Sequence, residues 1–260
     1  MQRQLWIFGG LSVVVVVTAI MLPPVSQSIG YHQFADQRSF INIPNFYNII
    51  SNLAILLSGT AGLLFLFRSY QSSAQKVFFS KTEYWPYLIL FLSVVATAFG
   101  SIFYHWAPDN DNLLWDRLPM AIGVTALVAA TLVERISPTL GLWSLPFLTA
   151  LGILSVLYWY WTEQQGAGNL NFYIVTQFYS ILLIVLLSMC YPSRYTHAKE
   201  IYQVIALYAV AKLAEMLDMQ VYNLVGHFIS GHTMKHLLAA LAVYRIVWML
   251  QKREFLSEKL

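Results

Sequence analysis

The chain has 260 residues, of which 58% are hydrophobic and only 10% charged, with a net charge of +3 and a mean hydropathy of +0.60. A soluble domain carries about 45–50% apolar and about 25% charged residues, so this composition excludes a soluble globular protein and indicates a polytopic membrane protein. The single cysteine, Cys190, excludes an intrachain disulfide and a cysteine-rich metal cluster, and the small positive balance reflects basic loops beside a membrane, not a nucleic-acid surface.

Crossing a bilayer takes about 20 apolar residues, and eight runs qualify, at 5–23, 46–68, 85–106, 112–133, 140–160, 170–191, 201–218 and 232–250. All are read as helices, joined by short connections into one domain. The first run, through Val13 to Val17 and ending before Pro23 and Pro24, is either a membrane anchor or a signal-like helix. It is long for a signal peptide and lacks a small-x-small cleavage site, which favours an uncleaved helix. Tyr84 and Trp85, and the cluster Tyr158 to Trp161, sit at expected span ends, where amphipathic rings act as headgroup-level anchors.

Basic residues orient the chain. With the N-terminus cytoplasmic, that side receives Arg3, Arg68, Lys76, Lys81, Arg135, Arg194, Lys199, Lys252, Arg253 and Lys259, against Arg38, Arg117 and Lys235 on the other. The bias places both termini in the cytoplasm.

Polar residues inside or at the ends of the spans are the candidates for chemistry, because an ionisable group there is costly and usually functional. His105 ends the third span, with Ser101 one turn deeper on the same face. The short loop from Ala107 to Asp111 makes the third and fourth spans antiparallel neighbours, bringing Asp116 near His105, and Pro119 is expected to loosen the helix just below. Asp116 has a simpler alternative role, pairing with Arg117 or capping its helix. In the seventh span Lys212 and Glu215, three apart, are expected to pair, with support of the histidines as the alternative; Asp218 adds to the polarity of that span. His227 falls in a loop, and Lys235 is expected to face away from the histidines toward headgroups. His232 and His236 open the last span four residues apart, on one helical face with Cβ atoms about 5–6 Å apart, which suits two imidazoles sharing a metal ion. A catalytic zinc usually takes three protein ligands; His105, predicted at the same membrane face, is the candidate third.

At these residues the chain resembles the alkaline ceramidases, within the larger CREST superfamily of seven-span membrane hydrolases and receptors. The resemblance rests on Ser101-Ile-Phe-Tyr-His105, Asp116-Arg117-Leu118-Pro119-Met120 and His232-x-x-x-His236, in that order. The stretch from Tyr31 to Arg38, with Ile43 to Phe46 and Asn48 to Asn52, is similar to the approach to the first core helix of that family. It implies an all-α integral membrane fold: a seven-transmembrane-helix core over 31–250, an additional N-terminal helix within 1–30 and a cytoplasmic tail at 251–260.

The resemblance further implies Zn2+ held by His105, His232 and His236, polarising a water for attack on an amide carbonyl, with Asp116 as general base and Ser101 bonded to the water or the developing oxyanion. The substrate is then a membrane lipid, ceramide or a related acyl amide, cleaved to a sphingoid base and a fatty acid at the non-cytoplasmic face. Animal alkaline ceramidases carry an acidic, tryptophan-containing calcium site before the first core helix. Here that region offers Asp36, with Asn45 where an acidic partner is expected, so calcium is left out of the expected cofactors. His32 and Asp36 are candidates for a small polar site. An ester-cleaving lipid-remodelling hydrolase of the same superfamily is an alternative, as is a non-enzymatic receptor, which the short loops disfavour. A transporter is disfavoured because the two halves show no repeat and no matched broken helices.

Overall fold

A computed structural model describes the backbone of residues 2–71 and 77–256 and the side chains of these from residue 6 onward. Lys76 and Lys259, two of the ten basic residues on the expected cytoplasmic side, lie outside the described residues, as does the side chain of Arg3.

The fold is an all-α membrane bundle. Its helices are α1 (Gln2–Met21), α2 (Phe46–Ile50), α3 (Asn52–Gln71), α4 (Tyr84–Trp106), α5 (Asn110–Arg135), α6 (Pro138–Gln164), α7 (Asn171–Cys190), α8 (Glu200–Met216), α9 (Asp218–Leu224) and α10 (Gly231–Lys252). A helix stands at each of the eight expected spans. Six are long and apolar enough to cross a bilayer, with α2 and α3 counted as one; the apolar part of α1 and the 17-residue α8 are shorter. Helices dominate because a bilayer offers backbone groups no water, so each span must satisfy its own hydrogen bonds.

The first helix is docked on the bundle. Ser12 Oγ bonds Tyr179 Oη at 2.7 Å, and Asn171 Nδ2 donates to the carbonyl of Pro23 at 3.0 Å, fixing α1 against α7. Beyond α10, the chain folds back. Arg253 is buried, donates to Glu134, and its Nε reaches the carbonyl of Val77 at 2.8 Å, while Phe255 makes a bridge with Tyr195.

The functional end of the bundle depends on one close approach. A Cβ on Gly100 would lie 2.0 Å from the carbonyl oxygen of Trp115, so only glycine lets α4 and α5 touch here. That carbonyl is the one Pro119 deprives of its helical N–H donor, four residues on. Pro119 thus removes one helical hydrogen bond, as expected, within a helix that runs from Asn110 to Arg135. Gly100→Ala is expected to overpack this contact at a cost of about 1–3 kcal/mol. The check is the thermal unfolding midpoint in detergent, and an unchanged midpoint would refute the contact.

The aromatic clusters divide. Trp85 and Trp161 are exposed, as anchors should be, whereas Trp159 is fully buried and stacks on the Arg117 guanidinium at 4.3 Å. Trp159 is therefore a core residue and not an anchor.

Candidate metal centre

Three histidines meet at one end of the bundle. His105 comes from the last turn of α4, His232 and His236 from the first turns of α10, and all are buried. One ligand atom from each can be chosen so that all lie within 4.8 Å of one another. The imidazoles meet edge to face, with centroids 4.8 Å apart for His105 and His232, 5.1 Å for His105 and His236, and 5.0 Å for His232 and His236.

The start of α10 is held from several sides. Ser230 caps it, its Oγ accepting from the N–H of Thr233 at 3.0 Å. Asp218 Oδ1 accepts from the N–H of His232 at 2.7 Å, while its Oδ2 takes the N–H of Ala35 at 2.9 Å, tying the N-terminal segment to the same point. A Cβ on Gly231 would lie 2.1 Å from the carbonyl oxygen of Ala214, so this glycine lets α10 start against α8. The chain breaks at Leu217, and Asp218 is the first residue of α9 instead of a polar residue within a continuous span.

His236 is set for metal binding by its neighbours. The Ser51 hydroxyl donates to the carbonyl of Asn48 at 3.0 Å, so its oxygen accepts from His236 Nδ1–H at 2.8 Å. That fixes the tautomer and leaves Nε2 with a lone pair; the atom is buried and has no partner among the described residues. His105 Nδ1 is likewise buried without a partner, while its Nε2 lies 3.2 Å from Nε2 of His232. Two nitrogens bound tetrahedrally to one zinc at about 2.0–2.1 Å stand about 3.3 Å apart. The donor set, the orphaned Nε2 of His236 and this spacing all fit a metal ion.

Phe34 closes the centre, its ring 4.7 Å from those of both His105 and His232. Asn45 Nδ2 donates to the carbonyl of His105 at 2.9 Å, and Asn48 Oδ1 accepts from Thr233 Oγ1 at 2.8 Å. On the Ser51 side of His236 a half-open pocket of about 370 Å³ is lined by Arg38, Tyr47, Ile50, Ser51, Phe228 and Leu237, and none of the three histidines lines it.

Asp116 and Ser101 are both buried, and the Ser101 hydroxyl faces the Asp116 carboxyl group. Asp116 is not a member of the cluster of ligand atoms. Nor does it pair with Arg117, whose Nη2 donates to Gln27 Oε1 at 2.6 Å and whose guanidinium lies over Tyr31, Trp159 and Tyr173.

Several expectations need correction. Lys235 does not face away from the histidines: its Nζ donates to His232 Nε2 at 3.0 Å and to Glu215 Oε1 at 2.9 Å. Three residues after His232, it shares that residue's face, and the buried Glu215 draws the ammonium inward more than solvent draws it out. Glu215 does pair with Lys212, at 2.5 Å, and through Lys235 it also reaches His232. His32 and Asp36 do not form a common site. Asp36 is bidentate with Arg38, and His32 bonds Tyr104 Oη at 3.0 Å and Asn110 Oδ1 at 3.1 Å. Partial burial lowers the His32 pKa. Tyr31 donates to Glu215 Oε1 at 3.2 Å, and burial, then the Glu215 carboxylate, raises its pKa. His227 is in a loop, as expected, bonded to Asn223 Oδ1 at 3.1 Å.

Phe34, Ser51 and Asp218 are members of the site that helical periodicity does not reveal. The only available signal is for Asn48 and Ser51, polar residues three apart at the start of an apolar run.

Compared with known proteins, the chain matches no protein-family model and no curated protein.

Proposed function

We propose that the protein is a zinc-dependent membrane-embedded lipid amidase that hydrolyses N-acyl sphingoid bases, ceramide among them, to a sphingoid base and a fatty acid. The observation that carries the reading is the meeting of three buried imidazoles at one end of a membrane bundle. Burying this many polar groups in an apolar chain is costly and is mostly tolerated for function. Zinc suits an all-imidazole set, and when bound it supplies Lewis acidity and lowers the pKa of a water to about 7.

The protein's own residues do the rest. Asp116, outside the ligand cluster, accepts the proton of the attacking water and orients it. Ser101, one turn before His105 on the same helical face, hydrogen-bonds the water or the oxygen on which charge develops. Ser51 keeps His236 in the tautomer that presents Nε2, and Phe34 excludes water. The order of the three motifs, as in the alkaline ceramidases, supports a hydrolase of that superfamily. The basic residues gathered at the opposite end support cytoplasmic termini and a site on the non-cytoplasmic side.

The test is mass spectrometry of lipids incubated with the purified protein in detergent, with and without a zinc chelator. On a mixed panel of ceramides, phospholipids and acyl amides, the expected result is chelator-sensitive release of fatty acid and sphingoid base from ceramides. Release from phospholipids alone would replace the amidase with an ester-cleaving enzyme. No turnover of any lipid would refute a hydrolase and leave the receptor reading.

A further inference from the structure

A neutral imidazole has one nitrogen lone pair, and an ammonium carries donors only. The 3.0 Å contact between Lys235 Nζ and His232 Nε2 therefore commits the Nε2 lone pair to Lys235 and places the ring proton of His232 on Nδ1. Nε2 is also the atom of His232 that faces the other ligands, 3.2 Å from Nε2 of His105, close to the separation of two nitrogens on one zinc. One lone pair thus has two claimants. A hydrogen bond from the ammonium and a bond to a metal ion cannot both use it.

His232 and His236 differ in this respect. Nε2 of His236 has no partner among the described residues and its tautomer is set from the far side by Ser51, so it is free to take a metal. Nε2 of His232 is not. The ammonium on it is held from its other side by Glu215 Oε1 at 2.9 Å, and the second oxygen of that carboxylate takes Lys212. Lys235 and His232 belong to α10, Glu215 and Lys212 to α8, so the ammonium stands between the two helices with one acceptor on each. Its side chain is 17% exposed. On leaving His232 it keeps Glu215, so withdrawal strands no unpaired buried charge. A divalent cation at the histidines also repels the ammonium, so the two occupants exclude each other by charge as well as by the lone pair they share.

We propose that Lys235 is an internal competitor of the metal: in the metal-free protein its ammonium caps Nε2 of His232, and a metal ion loads by displacing it toward Glu215. No proton is transferred. The ammonium stays charged, and one N–H to N hydrogen bond is exchanged for one metal to nitrogen bond. The contact keeps His232 in the tautomer that a metal requires, and it lowers the affinity of the centre by the strength of the hydrogen bond that loading breaks. This inference rests on the metal centre of the proposed function and not on amide hydrolysis.

The experiment uses full-length protein in detergent, stripped of metal with a chelator that is then removed, with Zn2+ affinity measured by competition against a chromogenic chelator. In Lys235→Met, zinc is expected to bind about tenfold or more tighter at unchanged stoichiometry, the scale of a hydrogen bond to a charged group. Lys235→Arg still donates to Nε2 and stays within a few-fold of wild type. A merely structural lysine gives the opposite sign, because its loss loosens His232 and weakens zinc binding. The wild-type protein supplies a second readout that depends on no variant folding. Zn2+ is expected to speed the acetylation of Lys235 by acetic anhydride several-fold relative to the exposed Lys199, measured by peptide mass spectrometry. Equal or weaker zinc affinity in Lys235→Met, or a Lys235 acetylation rate that zinc leaves unchanged, would overturn the proposal. Zinc binding by neither wild type nor Lys235→Met would overturn it together with the metal centre. Tighter zinc binding in Lys235→Met by a protein that hydrolyses no lipid would support the competition and refute only the amidase. Hydrolysis by the zinc-bound wild type with unchanged affinity in Lys235→Met would refute only the competition.

Discussion

His236→Ala is expected to abolish both metal binding and lipid turnover. The imidazole is one of three, and its Nε2 is buried without any other partner, so the cluster holds no spare donor to replace it. The serine, threonine and asparagine side chains around it are weak ligands for zinc beside imidazole. Metal content measured by elemental analysis after purification without chelator should fall to background, and fatty-acid release should fall to the uncatalysed rate. The thermal midpoint provides the control for folding, since the variant also removes the donor to Ser51 Oγ. A variant that kept one metal per chain would show that the ligands lie elsewhere.

Asp116→Asn separates chemistry from metal holding. The side chain is nearly isosteric, lies outside the ligand cluster and faces Ser101, so metal content should match wild type. An amide does not take up the proton of an attacking water, and loss of a positioned general base typically costs about 10²–10⁴-fold in rate. The two readouts together are decisive. Retained metal with a turnover reduced on that scale supports the assignment of the base; full turnover would sink it, and lost metal would move Asp116 into the coordination sphere.

The two histidines of α10 were legible because their relation is local. Four residues on one helix share a face whatever the helix packs against, and the apolar run that follows makes the helix certain. His105 and Asp116 were partly legible, because a short loop makes α4 and α5 antiparallel and places both near the same membrane face. Lys235 was misread, although helical spacing put it on the face of His232. Its direction is decided by Glu215, 20 positions earlier in the chain, which competes with the solvent and headgroups a lysine at a helix end would otherwise seek.

The sequence by itself determined that this is an all-α protein with membrane-spanning helices, where each of those helices lies, and that two imidazoles share the first turns of the last one. These follow from apolar run length and from the 3.6-residue period, which act over a few residues at a time. Only the tertiary structure decided that His105 comes within 3.2 Å of a histidine 127 positions away, that Ser51 fixes the tautomer of His236, that Phe34 closes the centre and that Lys235 turns toward it. Close approach is also needed where α4 meets α5 and α8 meets α10, which Gly100 and Gly231 permit by having no Cβ. Such close approach is a property of two surfaces together, and no periodicity in either helix alone encodes it.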